Sequence, residues 1–318
     1  MKVTYYLYPL FFVLIFLSLS IGASSQFSWS AFLQGEGAVV QVFWESRLPR
    51  TLAIVLAAGA LSLAGLLMQT ITQNPYAAPS TTGTVEAAQL GMLVSLFFFP
   101  KASLFQKAIF AFVFANLASL FFIRVVRRLS FSEKWMLALV GLIYGGIIGS
   151  LAEVLAYRFN LIQSMTSWTQ GSFAMIQNHQ YEWLFLNLLT LLGIWYFSES
   201  FSLMSLGEDA SRSLGLSFEK MESLALFLVS LTTAVTMITV GSLPFLGVIV
   251  PNVVRRFSGD HLKKSAGLVF LTGICLVLLC DIFARLIIRP YEVSVSVVLG
   301  VIGSALFIFI LWWGEKHG

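Results

Sequence analysis

The chain has 318 residues, of which 58% are hydrophobic and 11% charged, and its mean hydropathy is +0.87. This composition excludes a soluble globular domain, in which about half of the residues or fewer are apolar. The net charge of +4 and the pI near 9.1 would suit a nucleic-acid partner, but the basic residues are scattered between apolar runs and form no continuous stripe. We interpret them as topology signals and expect no nucleic-acid partner.

The apolar runs extend for roughly 20 residues, the length that an α-helix needs to cross a bilayer, and they lack the alternation of a membrane barrel. We therefore predict an all-α polytopic membrane protein, forming a single domain over residues 1–318. The first run is longer than that of a usual signal peptide, which favours a retained first helix. The predicted spans, about ten in number, are 5–23, 51–71, 83–99, 104–123, 136–157, 184–198, 223–240, 243–254, 266–284 and 295–313.

Ten spans place both termini on one side of the membrane. If that side is the cytoplasm, twelve basic residues lie in inner loops and seven in outer loops, which favours this orientation. Arg47 and Arg50, before the second span, and Arg285, at the end of the ninth, then fall on the outer side. Their guanidinium groups either reach lipid headgroups or pair with carboxylates of a docking partner.

Acidic residues mark three further positions within the predicted spans. Asp281 precedes Arg285 by four residues on one helix, the spacing of an ion pair. Glu86 either lines a transport pathway or lies at an inner helix start, where a carboxylate complements the helix dipole. For Glu153 we favour the role of an internal structural acid, with a pathway role as the alternative.

Two segments predict irregular or additional structure. The eighth span is short and contains Gly241, Pro244, Gly247 and Pro251, which indicates a buried, irregular helix. The inner loop 199–222 predicts two short helices, in which Glu208 and Asp209 lie at a helix start and Gly215 at its end. A structured inner hairpin suggests a docking surface for another subunit.

Several types of chemistry find no support in the sequence. No phosphate-binding loop of the Gly-x-x-x-x-Gly-Lys-Ser/Thr type occurs, so the chain supplies no nucleotide site of that kind. Cys275 and Cys280 share an apolar run and are expected to pack in the core. His179, His261 and His317 lie in separate loops, so we predict no metal site, no catalytic residue and no directly bound cofactor.

Motifs distributed over nearly the whole chain together resemble the FecCD family, the membrane permeases of ABC importers for iron-siderophores, haem and cobalamin. Their order and spacing carry the resemblance more than any one motif. The matching segments are Arg47-Leu-Pro-Arg50, Gly65 to Gln69 with Asn74-Pro75, Trp168 to Ser172, Leu206 to Gly215, Gly241 to Gly247 with Pro251 and Arg255, Gly259-Asp260-His261, and Asp281 to Arg285 with Glu292 and Gly300.

The resemblance implies a cobalamin-permease-like fold, that of type II ABC importers, in which two permeases dimerise as identical or related chains. It also implies two cytoplasmic ATPase subunits that use ATP, and an extracytoplasmic solute-binding protein, all at a bacterial cell membrane. By the resemblance, Arg47, Arg50 and Arg285 dock the binding protein. The residues that would contact the ATPase are Leu206, Gly207, Glu208, Asp209, Ala210 and Gly215.

The predicted cargo is a ferric siderophore, and the stretch Pro79 to Glu86 resembles the branch that handles catechol-type siderophores. Haem and cobalamin stay open as alternatives. Three departures from the family pattern are Asn252 after Pro251, Val293-Ser294 after Glu292, and Tyr76-Ala-Ala-Pro79 after Pro75. An ion-coupled carrier would need broken helices in both halves, whereas only the eighth span is clearly broken. An intramembrane enzyme would have only Glu86 and Glu153 as candidate acids.

Overall fold

The computed structural model describes residues 2–22, 27–129, 134–176, 181–259 and 262–317, and the regular structure in these ranges is helical. Asp260, His261 and His179 lie outside the described residues. The α-helices are α1 (Lys2–Ser20), α2 (Trp29–Leu33), α3 (Gly37–Val42), α4 (Leu48–Thr72), α5 (Thr84–Phe98), α6 (Leu104–Val126), α7 (Lys134–Arg158), α8 (Ile162–Thr169), α9 (Leu188–Tyr196), α10 (Ser198–Met204), α11 (Glu208–Ser213), α12 (Phe218–Thr239), α13 (Leu246–Ser258), α14 (Leu262–Leu286) and α15 (Val295–His317).

Each of the ten predicted spans overlaps one of these helices, which confirms the order of apolar elements. Within the described ranges, five helices are long and apolar enough to cross a membrane by length and composition. A sixth candidate is the pair 181–196 and 198–204, which is bent by 71°. Shorter apolar helices occur at 5–20, 84–98 and 295–309. The chain is therefore a helical membrane protein, in which long spans alternate with shorter and bent ones.

Helix α4 lies at the centre of the bundle, in contact with α12, α13 and α14. Its small residues allow these neighbours to approach closely, as in many membrane helix pairs. A Cβ atom at Gly65 would lie 2.1 Å from the carbonyl oxygen of Gly247, so α4 and α13 touch through their backbones. Likewise, a Cβ atom at Gly59 would lie 2.2 Å from the ring of Phe270 on α14. Gly59 and Gly65 therefore serve close helix packing.

The two ends of α4 mark the two ends of the bundle. A π-helical turn, Phe43–Arg47, joins α3 to α4, and Pro49, which has no backbone N–H, lies just after this turn. The helix stops at Gln73, whose φ of 51° is left-handed. At a rise of 1.5 Å per residue, Arg50 and Gln73 are about 35 Å apart. We call these the arginine end and the hairpin end, because Gln73 lies beside the α10–α11 hairpin.

The eighth predicted span is the 13-residue helix α13, which contains Pro251. It follows Gly241, whose φ of +94° is left-handed, and residues 246–251 are buried. A short, buried and irregular helix is therefore confirmed at this position. The Nδ2 of Asn252, one of the departures from the family pattern, donates to the carbonyl of Pro75 at 2.6 Å and holds the loop after α4.

Helix α7 is the least covered of the long helices, with apolar side chains such as Ile147 and Val154 more than 60% exposed. Glu153 lies on this helix and is exposed in the chain. Within the single chain Glu153 therefore contacts little protein, and its expected role as an internal structural acid or a pathway acid stays a prediction. The apolar run predicted the helix, but nothing in it indicated that so little of this helix would be covered within one chain.

The backbone contact between α4 and α13 gives a stability prediction. Gly65→Ala should destabilise the protein by about 1–3 kcal/mol, the usual cost of overpacking, because the added methyl group meets backbone atoms that cannot rotate away. Thermal unfolding of the purified protein measures the effect. Gly267→Ala on α14 is the matched control, since a Cβ atom there meets nothing within 4 Å. Equal melting temperatures for the two variants would contradict the proposed close contact.

Candidate functional site

The arginine end contains a cluster of five charged side chains: Arg47, Arg50, Asp281, Arg285 and Glu292. Asp281 is fully buried and lies between two arginines. Its Oδ1 accepts from Nη2 of Arg50 at 2.7 Å, and its Oδ2 accepts from Nη2 of Arg285. The predicted ion pair between Asp281 and Arg285 is confirmed. Glu292 adds a second carboxylate, whose Oε2 accepts from Nη1 of Arg50 at 2.7 Å.

Two of these arginines also bind the carbonyl end of α1. Arg47 donates to the carbonyls of Leu19 and Ser20 at 2.7 and 2.5 Å. Arg285 donates to those of Ser18 and Ile21 at 2.9 and 2.6 Å. The last carbonyls of a helix have no partner within it and carry partial negative charge, so cations are favourable there. The arginines thus fix the end of α1 against α4 and α14.

The three arginines are therefore structural in this chain, whatever they contact in an assembly. Arg47 is 5% exposed, Arg50 8% and Arg285 2%, and each makes hydrogen bonds inside the chain. The alternative in which they extend to lipid headgroups does not describe this arrangement. Hydropathy placed them at a helix boundary, but their acceptors come from segments up to 267 positions away in sequence, and sequence spacing cannot reveal such partners.

The charges in this cluster do not balance. Three guanidinium groups face two carboxylates, which leaves one positive charge if all five groups are ionised. Arg47 has no acidic partner among the described residues; its guanidinium lies 4.0 Å from the ring centroid of Phe27, a cation–π contact. Arg289, the neighbouring cation that we interpret as an interface anchor, is exposed.

The hairpin end contains the two short helices that the inner loop predicts. Helix α11 begins at Glu208 with Asp209 in its first turn, and Gly207 and Gly215 on either side have left-handed φ angles of +96° and +84°. Leu206 and Leu214 are each 60% exposed, so the hairpin presents apolar side chains. The predicted start and stop are confirmed. A docking role of this hairpin is addressed below.

Polar contacts to the ends of α4 and α6 help to join the hairpin to the bundle. The Nε2 of Gln73, at the end of α4, donates to the carbonyl of Met204 on α10 at 2.8 Å. The Nη2 of Arg127, at the end of α6, lies 3.6 Å from Oε2 of Glu208 and 2.7 Å from Oε1 of Glu222 on α12. The sequence analysis counted Arg127 only as a topology signal and did not single out Glu222. Glu222 lies one helical turn after Phe218, but only the fold brings Arg127 beside it.

Glu86 lies in the first turn of α5, at the hairpin end. This is the position that the helix-dipole alternative requires. Its side chain fits into a groove on α7: a Cβ atom at Gly145 would be 3.2 Å from its Oε2 and one at Gly149 3.6 Å from its Cγ. The Oε2 atom is buried and has no hydrogen-bond partner within the described part of the chain. The side chain of Glu86, on α5, is therefore packed against α7.

Metal-ligand and thiol chemistry receive little support at either end. Within the described ranges, no group of three or more His, Cys, Asp or Glu side chains could hold a metal ion. Cys275 and Cys280 are buried free cysteines, as packing residues would be. What the charged side chains at the two ends do within the chain is to hold helix ends together.

A bundle of apolar helices with a charged cluster at one end and a structured hairpin at the other defines a membrane transport permease. Residues 10–313 match the model of the FecCD transport family, and the chain belongs to this family. It is 39% identical over 306 residues to the petrobactin import system permease protein YclN of Bacillus subtilis, covering 96% of both chains. It is 36% identical over 306 residues to the ferric-anguibactin transport system permease protein FatD of Vibrio anguillarum, covering 96% of this chain and 97% of that protein.

A solved structure described as an inward-facing conformation of a metal-chelate type ABC transporter gives the same architecture. It aligns with a TM-score of 0.81 and 26% identity over 98% of this chain and 99% of that chain. The vitamin B12 import system permease protein BtuC of Salmonella typhi is a more distant relative, 30% identical over 278 residues, which cover 84% of this chain and 82% of that protein. The predicted type II importer fold and the family resemblance are confirmed.

The buried carboxylate of Asp281 gives a second prediction. Asp281→Asn should destabilise the protein by about 3–5 kcal/mol, because two buried guanidinium groups lose the charge between them. Glu36→Gln, at an exposed position, is the matched control and should change little. The amount of folded protein extracted from membranes and its melting temperature measure the effect. A D281N variant as stable as E36Q would show that the cluster does not support the fold.

Proposed function

We propose that this chain is the membrane-spanning permease subunit of an ABC importer that moves a ferric siderophore across a bacterial cell membrane. The observation that carries the proposal is similarity along nearly the full chain, at 36–39% identity, to permeases named for petrobactin and ferric-anguibactin. Membership in the FecCD transport family supports the transport class independently of any one relative.

In this proposal the whole chain is one permease unit with both termini in the cytoplasm. It dimerises with an identical or related permease, and partner ATPase subunits bind and hydrolyse ATP. An extracytoplasmic solute-binding protein delivers the ferric chelate to the arginine end. The chain itself performs no catalysis and binds no cofactor. Its tasks are to form the pathway, to receive the binding protein and to follow the movements of the ATPase.

The α10–α11 hairpin is the proposed contact with the ATPase. Leu206 and Leu214 supply exposed apolar surface, while Glu208 and Asp209 supply charge at the start of α11. The hairpin lies about 35 Å from the arginine end along α4, so the two partners would bind opposite ends of one helix. Movement of the hairpin would reach α4 through Gln73 and α6 through Arg127.

Docking of the binding protein by Arg47, Arg50 and Arg285 stays a prediction, and their burial changes its expected mechanism. Their N–H groups already donate to acceptors in this chain. Carboxylates of a partner would therefore be attracted by the excess positive charge of the cluster, or would replace Glu292, whose side chain is 18% exposed, as the acceptor for Arg50. Such electrostatic complementarity mainly raises the association rate and orients the partner.

Transport of radioactive iron into vesicles tests the function. Vesicles that contain this chain, the ATPase and the binding protein should accumulate iron supplied as ferric petrobactin or another catechol siderophore when ATP is present. Omission of any one component should abolish uptake. Accumulation of haem or cobalamin in place of the iron chelate would retain the importer and reassign its cargo. Assembly without uptake of any of these compounds would contradict the proposal.

Arg47→Gln tests the docking mechanism, because it removes the excess charge without leaving a carboxylate unpaired, although it also removes the two hydrogen bonds from Arg47 to the end of α1. The association rate with immobilised binding protein should fall about threefold at low salt, and the difference should vanish at high ionic strength. Lys264→Gln, near the opposite end of α14, makes the same change in net charge and is the control. Equal association rates for the two variants at low salt would contradict docking through this cluster.

A further inference from the structure

A network of five charged side chains surrounds the start of the α10–α11 hairpin. It contains two arginines and three glutamates, contributed by α6, α11 and α12: Arg127, Glu208, Arg212, Glu219 and Glu222. Glu208 is central, because its two carboxylate oxygens face different arginines. Its Oε1 lies 2.7 Å from Nη2 of Arg212, and its Oε2 lies 3.6 Å from Nη2 of Arg127.

The members of this network differ in burial, and burial decides which contacts are firm. Arg212 and Glu219 are 51% and 60% exposed, so their mutual pair contributes little to rigidity. The Glu222 side chain is only 11% exposed, and it accepts from Arg127 at 2.7 Å. A charged hydrogen bond to a buried carboxylate is expensive to lose, because the remaining charge has no other partner.

Arg127 is therefore anchored on one side and connected to the hairpin on the other. Its guanidinium carbon lies 5.5 Å from the ring centroid of Phe218, which is 3% exposed, so the head group rests against the first turn of α12. From this fixed position it reaches Glu208, the first residue of α11. Among the described residues it is the cation that joins α6 to both α11 and α12.

We propose that Arg127 is a positioning residue that transmits movement of the ATPase-facing hairpin to α6 and α12. The proposal rests on the importer function given above. Helix α6 packs along both α5 and α12, so a displacement of α11 that pulls on Arg127 acts on a packed unit of the bundle. The hydrogen bond from Gln73 to the carbonyl of Met204 connects the hairpin to α4 in the same way. Without Arg127 the hairpin would keep its contacts with α4, α12 and α14 but would lose its ion pair with the end of α6.

The test is the number of chelate molecules imported per ATP hydrolysed, measured in proteoliposomes containing the complete transporter. Arg127→Gln should lower this ratio about two- to fivefold, the effect of losing one partly exposed ion pair, while ATP hydrolysis continues. A merely structural role would reduce the number of active transporters, and would lower uptake and hydrolysis together without changing their ratio. Arg128→Gln is the matched control, because Arg128 is an exposed neighbour without an ion pair in the described part of the chain.

A second variant guards against failure of R127Q to fold. Arg127→Gln combined with Glu222→Gln leaves no buried carboxylate unpaired, so the double variant should assemble, yet it still lacks the connection to Glu208. It should show the same reduced ratio as R127Q. A ratio equal to that of the R128Q transporter in either variant would overturn the role of Arg127. Absence of import by the unmodified transporter would instead overturn the function on which this inference rests.

Discussion

The carboxylate of Asp281 is the interaction on which the arginine end depends. It is the most deeply buried of the five charged groups, and it neutralises arginines from two different helices, α4 and α14. Among the described residues Asp281 is the acidic partner of Arg285 and one of the two acidic partners of Arg50, so removal of its charge would cost several kcal/mol. Once both are held, Arg285 can also bind the carbonyls at the end of α1. The positions of three helix ends thus follow from one carboxylate.

Helix α4 connects the arginine end to the opposite end of the bundle. Small residues let α13 and α14 approach it closely, and such close contacts leave little room for sliding without repacking. One end of α4 therefore holds Arg50 and the other holds Gln73, at a separation that the helix itself sets. A partner at one end can affect a partner at the other only if α4 moves largely as a unit, or if its neighbours move around it.

The sequence predicts the features that depend on local pattern. Apolar runs located the helices, Gly207 to Gly215 predicted the short helix of the hairpin, and four-residue spacing paired Asp281 with Arg285. It failed where partners are distant along the chain. The burial of Arg47 depends on carbonyls 27 and 28 residues away, and Glu153 is exposed because α7 has few neighbours within the chain. Hydropathy measures how apolar a segment is, not which side of it meets protein.

The two charged networks differ in a way that suits their places in a transporter. At the arginine end, Asp281 and Arg285 are almost completely shielded from solvent, which makes the network stiff and costly to rearrange. At the hairpin end, only Glu222 is well buried, while Arg212 and Glu219 are largely exposed and can exchange partners with water at little cost. In the proposed importer, the hairpin would have to follow a moving ATPase while staying connected to the bundle. Arg127 with Glu222 fixes the end of α6 to α12, and the exposed pairs around Glu208 can rearrange beside this fixed contact.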